Sequence, residues 1–263
     1  MNSVITIISD YGIGSPYAAA LMGMGLKIMP DAKIIEISHQ VNPFDLVQAA
    51  FLLKSVYRNF PAGTCHLIGV DANINLHKQV IWITHEGQHF IGADNGVFSL
   101  LFDEPIQEIF KVNEDLLSKN DLFPEKNFFL PLIARFLQEG SVNSFAKPGN
   151  FTKELQSMNA VWDDYSLGGA VMFVDAYQNA ITNIKKDVFN QASKGRPFKL
   201  YYWSKHYIEK ISKHFNDEEA GEDLLLYNEN DYLIISMNRG KGAQLLGLKP
   251  GSKIIINFED TLN

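Results

Sequence analysis

Asp10, His39, Asp71 and Asp94 each stand at the end of a short apolar run or just beyond one. Val4-Ile5-Thr6-Ile7-Ile8 precedes Ser9-Asp10, and Ile34-Ile35-Glu36-Ile37 precedes Ser38-His39. Cys65-His66-Leu67-Ile68-Gly69-Val70 precedes Asp71, and His89-Phe90-Ile91-Gly92-Ala93 precedes Asp94. Continuous apolar runs of this kind mark strands buried on both faces of a parallel sheet. Open α/β sheets bind their ligands beyond the carboxyl ends of such strands. A carboxylate at the place of Asp10 can accept both hydroxyls of a ribose; it can equally do no more than cap a turn. The residues after it, Gly12, Gly14 and Ser15-Pro16, suit a tight turn followed by a helix N-cap with proline at the first helical position.

The elements that position these groups can be read in order. A small-residue apolar helix runs from Tyr17 to Met29 and stops at Pro30. A strand over residues 32–37 leads, through Asn42-Pro43-Phe44-Asp45, into a helix ending near Arg58. After the Pro61-Ala62-Gly63 turn and the Cys65 strand, residues 80–84 and 89–92 form a hairpin around Glu86-Gly87. A helix to about Phe102 follows Asp94-Asn95-Gly96. Residues 106–112 alternate in the manner of an edge strand, and a helix covers 128–139 with Pro131 near its start. Residues 1–155 therefore form an α/β domain. Beyond a polar connection, residues 165–263 carry short strands at 169–175, 198–203, 223–227, 232–237 and 253–257, with one short helix. Regular spacing with turn signals between them points to a small β-barrel.

Composition bounds the partners. At 263 residues two domains are expected, and 46% hydrophobic with 20% charged residues is ordinary for a soluble globular protein. A formal net charge of −7 argues against a nucleic-acid partner held by bulk charge. No apolar run reaches the roughly 18 residues of a membrane helix, and no basic stretch precedes an apolar core at the N-terminus. The single cysteine, Cys65, excludes an intrachain disulfide and a cysteine-built metal site. No membrane partner, no metal and a cytoplasmic location are the expectations.

Taken in series, Ser9-Asp10-Tyr11-Gly12, Ile37-Ser38-His39, Phe60-Pro61-Ala62-Gly63-Thr64-Cys65-His66 into Val70-Asp71, and Ala93-Asp94-Asn95-Gly96 resemble one family. Val174-Asp175-Ala176-Tyr177-Gln178-Asn179 with Ile181-Thr182-Asn183, then Asn238-Arg239-Gly240 with Leu246-Gly247, continue the resemblance. The family is the S-adenosylmethionine (SAM) hydroxide adenosyltransferases, the SAM hydrolases related to fluorinase and chlorinase. It implies an N-terminal α/β domain, a C-terminal β-barrel, and a homotrimer with SAM bound between domains of neighbouring subunits. SAM is then the substrate and no cofactor is needed.

The resemblance assigns Asp10 to the ribose, Asp175 to the methionine end and Asn179 to the adenine. The backbone at Arg239 falls where a main-chain group meets the base edge. Phe44, Tyr177 and Phe215 fall near positions that line the nucleoside pocket, although Tyr177 and Phe215 could equally be core residues. For the reaction the family uses an aspartate, an arginine and a histidine around a water that attacks ribose C5′. Asp71 keeps the aspartate, and Lys78 falls on the arginine. The family's Phe-His-Gly-Arg-Asp segment aligns with Phe123-Pro124-Glu125-Lys126-Asn127, so Pro124 stands where the histidine does. Its Pro-Gly-Val-Gly turn is here Ala72-Asn73-Ile74-Asn75.

Lys78 offers a charge without the planar fork of arginine, and Pro124 offers no proton chemistry; His77, His66 or His39 would have to approach from elsewhere. Three readings follow. One is a SAM hydrolase with an altered water-activating set, yielding adenosine and methionine. Another is a SAM- or adenosine-binding sensor without turnover. The third is an enzyme using a halide, against which Asp71 in place of fluorinase's tyrosine weighs.

Overall fold

The computed structural model describes residues 3–74, 79–116, 121–202 and 206–259. The chain divides into two compact units, Met1–Ser157 and Met158–Asn263.

In the first unit the elements are β1 (Val4–Ser9), α1 (Pro16–Ile28), β2 (Lys33–Ser38), α2 (Leu46–Val56), β3 (Cys65–Gly69) and β4 (Val80–His85). They continue with β5 (Gln88–Ala93), α3 (Val97–Leu101), β6 (Glu108–Val112), α4 (Leu130–Glu139) and β7 (Ala146–Pro148). The strands form one sheet in the order β2-β1-β3-β5-β4-β6-β7. β2, β1, β3 and β5 are parallel, while β4 joins β5 and β6 antiparallel. Side chains alternate between two cores with the period of two that a strand imposes. Ile5, Ile7, Leu67 and Trp82 face α1 and α4, while Ile8, Ile68, Ile81 and Ile83 face α2 and α3. β1 and β3 are almost wholly buried, as their unbroken apolar runs require.

The strand expected at an edge, β6, lies inside the sheet between β4 and β7. Both of its faces are packed: Phe110 and Val112 on the core beneath α1 and α4, and Ile109 on the core beneath α2 and α3. The edge belongs to β7, whose Pro148 has no N–H to offer a further neighbour. The helix expected from residue 128 is preceded by a π-helical turn, Glu125–Phe129, before α4 proper begins. Ser15 has the extended backbone of an N-cap and Pro16 opens α1 as expected, but the Ser15 hydroxyl makes no capping bond.

The second unit holds β8 (Val161–Trp162), β9 (Ser166–Val174), β10 (Ala180–Lys185), α5 (Lys186–Ser193), β11 (Phe198–Tyr201) and β12 (Tyr207–Ile208). β13 (Asp223–Tyr227), β14 (Tyr232–Met237), α6 (Gly242–Leu245) and β15 (Lys253–Phe258) complete it. Seven strands run β12-β11-β15-β9-β10-β14-β13, with β8 paired to β9. The two ends of this path approach each other: Ile211, just beyond β12, bridges Leu225 in β13, and the Ser212 N–H donates to the Leu225 carbonyl at 2.7 Å. The sheet is thus nearly closed around Leu167, Leu200, Leu233, Ile235 and Ile254. β10 and β12 are strands that the expected set lacked; Asn183 and Thr182 interrupt the apolar pattern of the first, and the second is two residues long.

Candidate functional site

One carboxylate ties together the loops that leave β1, β2 and β3. Asp10 Oδ2 accepts the backbone N–H of Phe44 at 2.9 Å and that of Asp71 at 3.5 Å. Both donors have left-handed backbone, with φ of 67° at Phe44 and 45° at Asp71. Such a conformation costs a non-glycine residue on the order of 1–3 kcal/mol and persists only where neighbours enforce it. A second clamp comes from the loop after β5. Asn95 is buried, and its side-chain amide donates to the carbonyls of Val70 at 3.0 Å and Asp71 at 3.1 Å. Asp71 is therefore fixed through both its N–H and its C=O. Asp10 Oδ1 has no partner among the described residues and remains available to a ligand. Phe44 is 68% exposed, so its ring is not a core residue.

Behind Asp10 lies an aromatic wall of Tyr11, Tyr17 and Phe123, with ring centroids 5.3–5.8 Å apart. Glu125 sits below it, only 4% exposed. It packs on the end of β3 because Gly69 has no side chain: a Cβ there would come within 3.0 Å of Glu125 Cγ. Tyr11 lies beside the carboxylate, and Oε2 has no hydrogen-bond partner among the described residues. Burial pushes the Glu125 carboxyl up to about 7; the Tyr11 contact opposes that rise and the charges of Asp10 and Asp121 add to it. The same burial, reinforced by Glu125, raises the Tyr11 phenol.

This has a consequence for stability. A carboxyl whose folded value lies above its unfolded one stabilises the fold fully below about 4.5, and that contribution is lost as pH rises through about 7. Across that window the group is expected to remove roughly 3 kcal/mol of stability. Urea melts at pH 5 and pH 8 should show Glu125→Gln gaining on the wild type by about this amount at the higher pH. Equal gains at both values would mean that Glu125 does not titrate in this range.

His66 and His39 both serve the fold of the first unit. His66 is in the core, its Nδ1 paired with the Thr6 hydroxyl at 2.6 Å and its Nε2 with Gln88 Oε1 at 2.5 Å. Burial lowers its pKa to about 4. His39 pairs through Nδ1 with the Ser9 hydroxyl at 2.6 Å, and its carbonyl accepts the Gly12 N–H at 2.7 Å. Burial lowers its pKa as well, and its carbonyl holds the loop after β1. Lys78 and His77 lie outside the described residues. Pro124 is buried at the start of the π-helical turn, with φ −61° and ψ −31°.

In the second unit, Asp175 and Asn179 are bonded to each other. Asp175 Oδ1 accepts the Asn179 backbone N–H at 2.9 Å, and Oδ2 accepts the Asn179 side-chain amide at 2.8 Å. The Asn179 side-chain amide oxygen accepts the Ser236 hydroxyl of β14 at 2.5 Å. The loop between β9 and β10 is also joined to α6, where the Ala243 N–H donates to the Gln178 carbonyl at 2.7 Å. Arg239 lies in the turn between β14 and α6, with φ 54°. Neither its N–H nor its C=O is taken by another backbone group among the described residues. Asp175, Asn179 and the Arg239 turn are thus held on one β14-centred network. Phe215 stands apart in the turn Phe215–Asp217, although Glu218, three residues on, accepts the Asn238 side-chain amide at 2.8 Å. Tyr177 is 82% exposed and Phe215 42%, which removes core packing as the reason for either ring.

Two positioning residues were not assigned from sequence. Asn95 lay inside a quoted motif, and only its amide geometry shows that it holds Asp71. Glu125 had a signal that could have found it: a lone acid among Phe123, Pro124, Phe128 and Phe129.

Comparison with known proteins adds a family. Residues 5–146 match the SAM hydroxide adenosyltransferase N-terminal domain, and residues 169–255 match the SAM hydroxide adenosyltransferase C-terminal domain. An (R)-S-adenosyl-L-methionine hydrolase of Methanocaldococcus jannaschii is 28% identical over 263 residues, which cover 93% of this chain and 92% of that protein. A fluorinase of Nocardia brasiliensis is 34% identical over 61 residues, 23% of this chain and 20% of that one. The crystal structure of an uncharacterized conserved protein from Thermotoga maritima superposes with a TM-score of 0.85 at 26% identity, covering 96% of this chain and 99% of that chain.

Proposed function

The chain belongs to the SAM hydroxide adenosyltransferase family, and from that premise we propose that it binds SAM and hydrolyses it to adenosine and L-methionine. The observation that carries this reading is the shared Asp10 carboxylate. It fixes the backbone of Asp71 with Oδ2 and leaves Oδ1 for the substrate. Asp10 takes the ribose hydroxyls, and Asp71, on its clamped loop, holds the attacking water in line with C5′. The C5′–O bond forms as the C5′–S bond breaks, the electron pair goes to sulfur, and one proton passes from the water to bulk solvent. A sulfonium leaves as a neutral thioether, so alignment and removal of that proton are the main tasks of the protein. Lys78, at the sequence position of the family's arginine, brings a positive charge to the reaction.

Asp175 and Asn179 spend part of their capacity on each other. A carboxylate has about four acceptor sites and an amide a second N–H, so the methionine ammonium and the adenine can be added without breaking the pair. The open N–H and C=O of Arg239 meet the base edge, and Phe44, Tyr177 and Phe215 cover the nucleoside. Those exposed rings also suit a closed homotrimer in which neighbouring subunits complete each site. A cytoplasmic setting accords with Cys65, a buried free thiol.

One observation favours a second reading, a SAM- or adenosine-binding protein without turnover: Pro124 carries no group that can accept the water's proton. Calorimetric titration with SAM and adenosine, followed by chromatography of the mixture, separates the two. Binding with adenosine release supports the hydrolase, and binding without release supports the sensor. No affinity for either compound at millimolar concentration overturns both. Light scattering in the same samples should give a trimer; a monomer with full affinity excludes a site shared between subunits.

A further inference from the structure

We propose that Glu125 is a positioning and specificity residue, whose carboxylate, seated behind Tyr11 and beneath the ends of β1 and β3, makes the Asp10 half of the site prefer the sulfonium of SAM to an uncharged thioether or nucleoside. The inference rests on the proposed binding of SAM and deepens it by naming what sets the charge preference.

Three observations carry it. Glu125 is nearly inaccessible, yet its Oε2 has no hydrogen-bond partner among the described residues. A buried carboxyl oxygen left without a hydrogen bond is costly, so its retention calls for a reason in the site. Its place is held open by Gly69, two residues before Asp71, and by contact with Tyr11, the residue after Asp10. It is also electrostatically coupled to Asp10 itself. A second negative charge in this low-dielectric pocket leaves ribose hydroxyls nearly indifferent and attracts a cation. The product of hydrolysis bears no sulfonium, so the same charge favours substrate entry over product retention.

Glu125 is neutral below about 7 and ionised above it, so the preference should rise with pH. The groups facing it are Asp10 and Tyr11 from the loop after β1, Asp121 from the segment ahead, and Tyr17 on α1 through the Tyr11 ring. On its own turn Lys126 lies over the Phe123 ring at 5.1 Å. The turn also packs on β3, β5 and α4. The titratable residues of β3 and β5 (Cys65, His66 and His89) stand at the starts of those strands, away from Gly69. Arg135 of α4 pairs with Glu139.

The test compares SAM with S-adenosylhomocysteine, which keeps the amino acid and the nucleoside and lacks the S-methyl group and with it the sulfonium charge; the methyl's own contribution does not depend on pH. The sulfonium lowers the amino pKa of SAM relative to that of S-adenosylhomocysteine, so each affinity is first corrected for the ligand's own titration, measured in free solution. In the wild type that ratio should rise about tenfold from pH 5.5 to pH 8, an order of magnitude for one charge at this range. In Glu125→Gln it should be flat. Tyr11→Phe removes a contact that favours the ionised form, so it should move the midpoint of the rise to higher pH; this variant also stands in if the glutamine variant does not fold. A flat ratio in the wild type, or an unchanged rise in Glu125→Gln, overturns the proposal. Absence of binding by both ligands would overturn the functional reading beneath it instead.

Discussion

Replacing Asp10 with alanine is expected to weaken SAM and adenosine binding by about 10²–10⁴-fold. Each charge-assisted bond to a ribose hydroxyl contributes on the order of 1.5–3 kcal/mol, and every 1.4 kcal/mol is about tenfold in affinity. The carboxylate does more than face the ligand, because Oδ2 also holds Phe44 and Asp71 in left-handed backbone. Alanine removes both functions, so loosening of the loops adds to the loss. Asp10→Asn separates them: the amide oxygen can still accept the two N–H groups, while the charge and one acceptor are gone. The asparagine variant should therefore keep the wild-type melting temperature and still lose most of the affinity. Calorimetry on both variants checks this. If Asp10→Asn binds the nucleoside as tightly as the wild type, Asp10 only organises the loops and the ribose is held elsewhere.

The first unit was largely legible because its strands announce themselves. Val4 to Ile8 and Cys65 to Val70 are unbroken apolar runs, and a strand buried on both faces between helices needs such a run. Pro30 and Gly140 mark helix ends by what they exclude and permit in the backbone. What could not be read is where order in the sheet departs from order in the chain. β6 alternates like an edge strand, but whether β7 pairs beside it depends on residues more than thirty positions away. β10 was obscured for a related reason. Thr182 and Asn183 look like polar interruptions, yet the Thr182 hydroxyl donates to the Leu233 carbonyl at 2.8 Å and the Asn183 oxygen accepts the Ala170 N–H. Both are strand residues whose polar groups are satisfied by neighbouring strands.

The site was legible as a set of residue types and illegible as a set of bonds. Motif order pointed to Asp10, Asp71, Asp175 and Asn179, but no periodicity could say that Asp175 and Asn179 grip each other. Nor could it say that Asn95 holds the loop of Asp71, since both partners there are backbone carbonyls. The same limit applies to Glu125. Its charge suggested exposure, and only the gap above Gly69 explains how an acid comes to be buried among aromatic rings.

The proton-handling step is where this chain should differ most from its relatives. Wild-type protein is expected to hydrolyse SAM about 10²–10⁴-fold more slowly than family members with the full aspartate, arginine and histidine set, since loss of a positioned acid–base group has that effect. Ground-state binding can survive such a loss, because Asp10, Asp175 and Asn179 belong to a different part of the task. His66 is committed through both ring nitrogens to Thr6 and Gln88, so it cannot replace the missing group without breaking a buried bond; His39 spends only Nδ1 on Ser9, but burial lowers its pKa and so weakens it as a base. The restoring variant is Lys78→Arg with Pro124→His. The backbone at Pro124 suits a histidine, with ordinary right-handed angles, and loss of the proline ring frees an N–H without straining the turn. The imidazole would enter a buried place beside Glu125, so the single Pro124→His change should help less than the pair: arginine's fork fixes the water that the ring must deprotonate. Chromatographic release of adenosine under single-turnover conditions measures the outcome. A wild type already as fast as relatives with the complete set would sink this account and place the working base elsewhere, with His77 the first residue to replace.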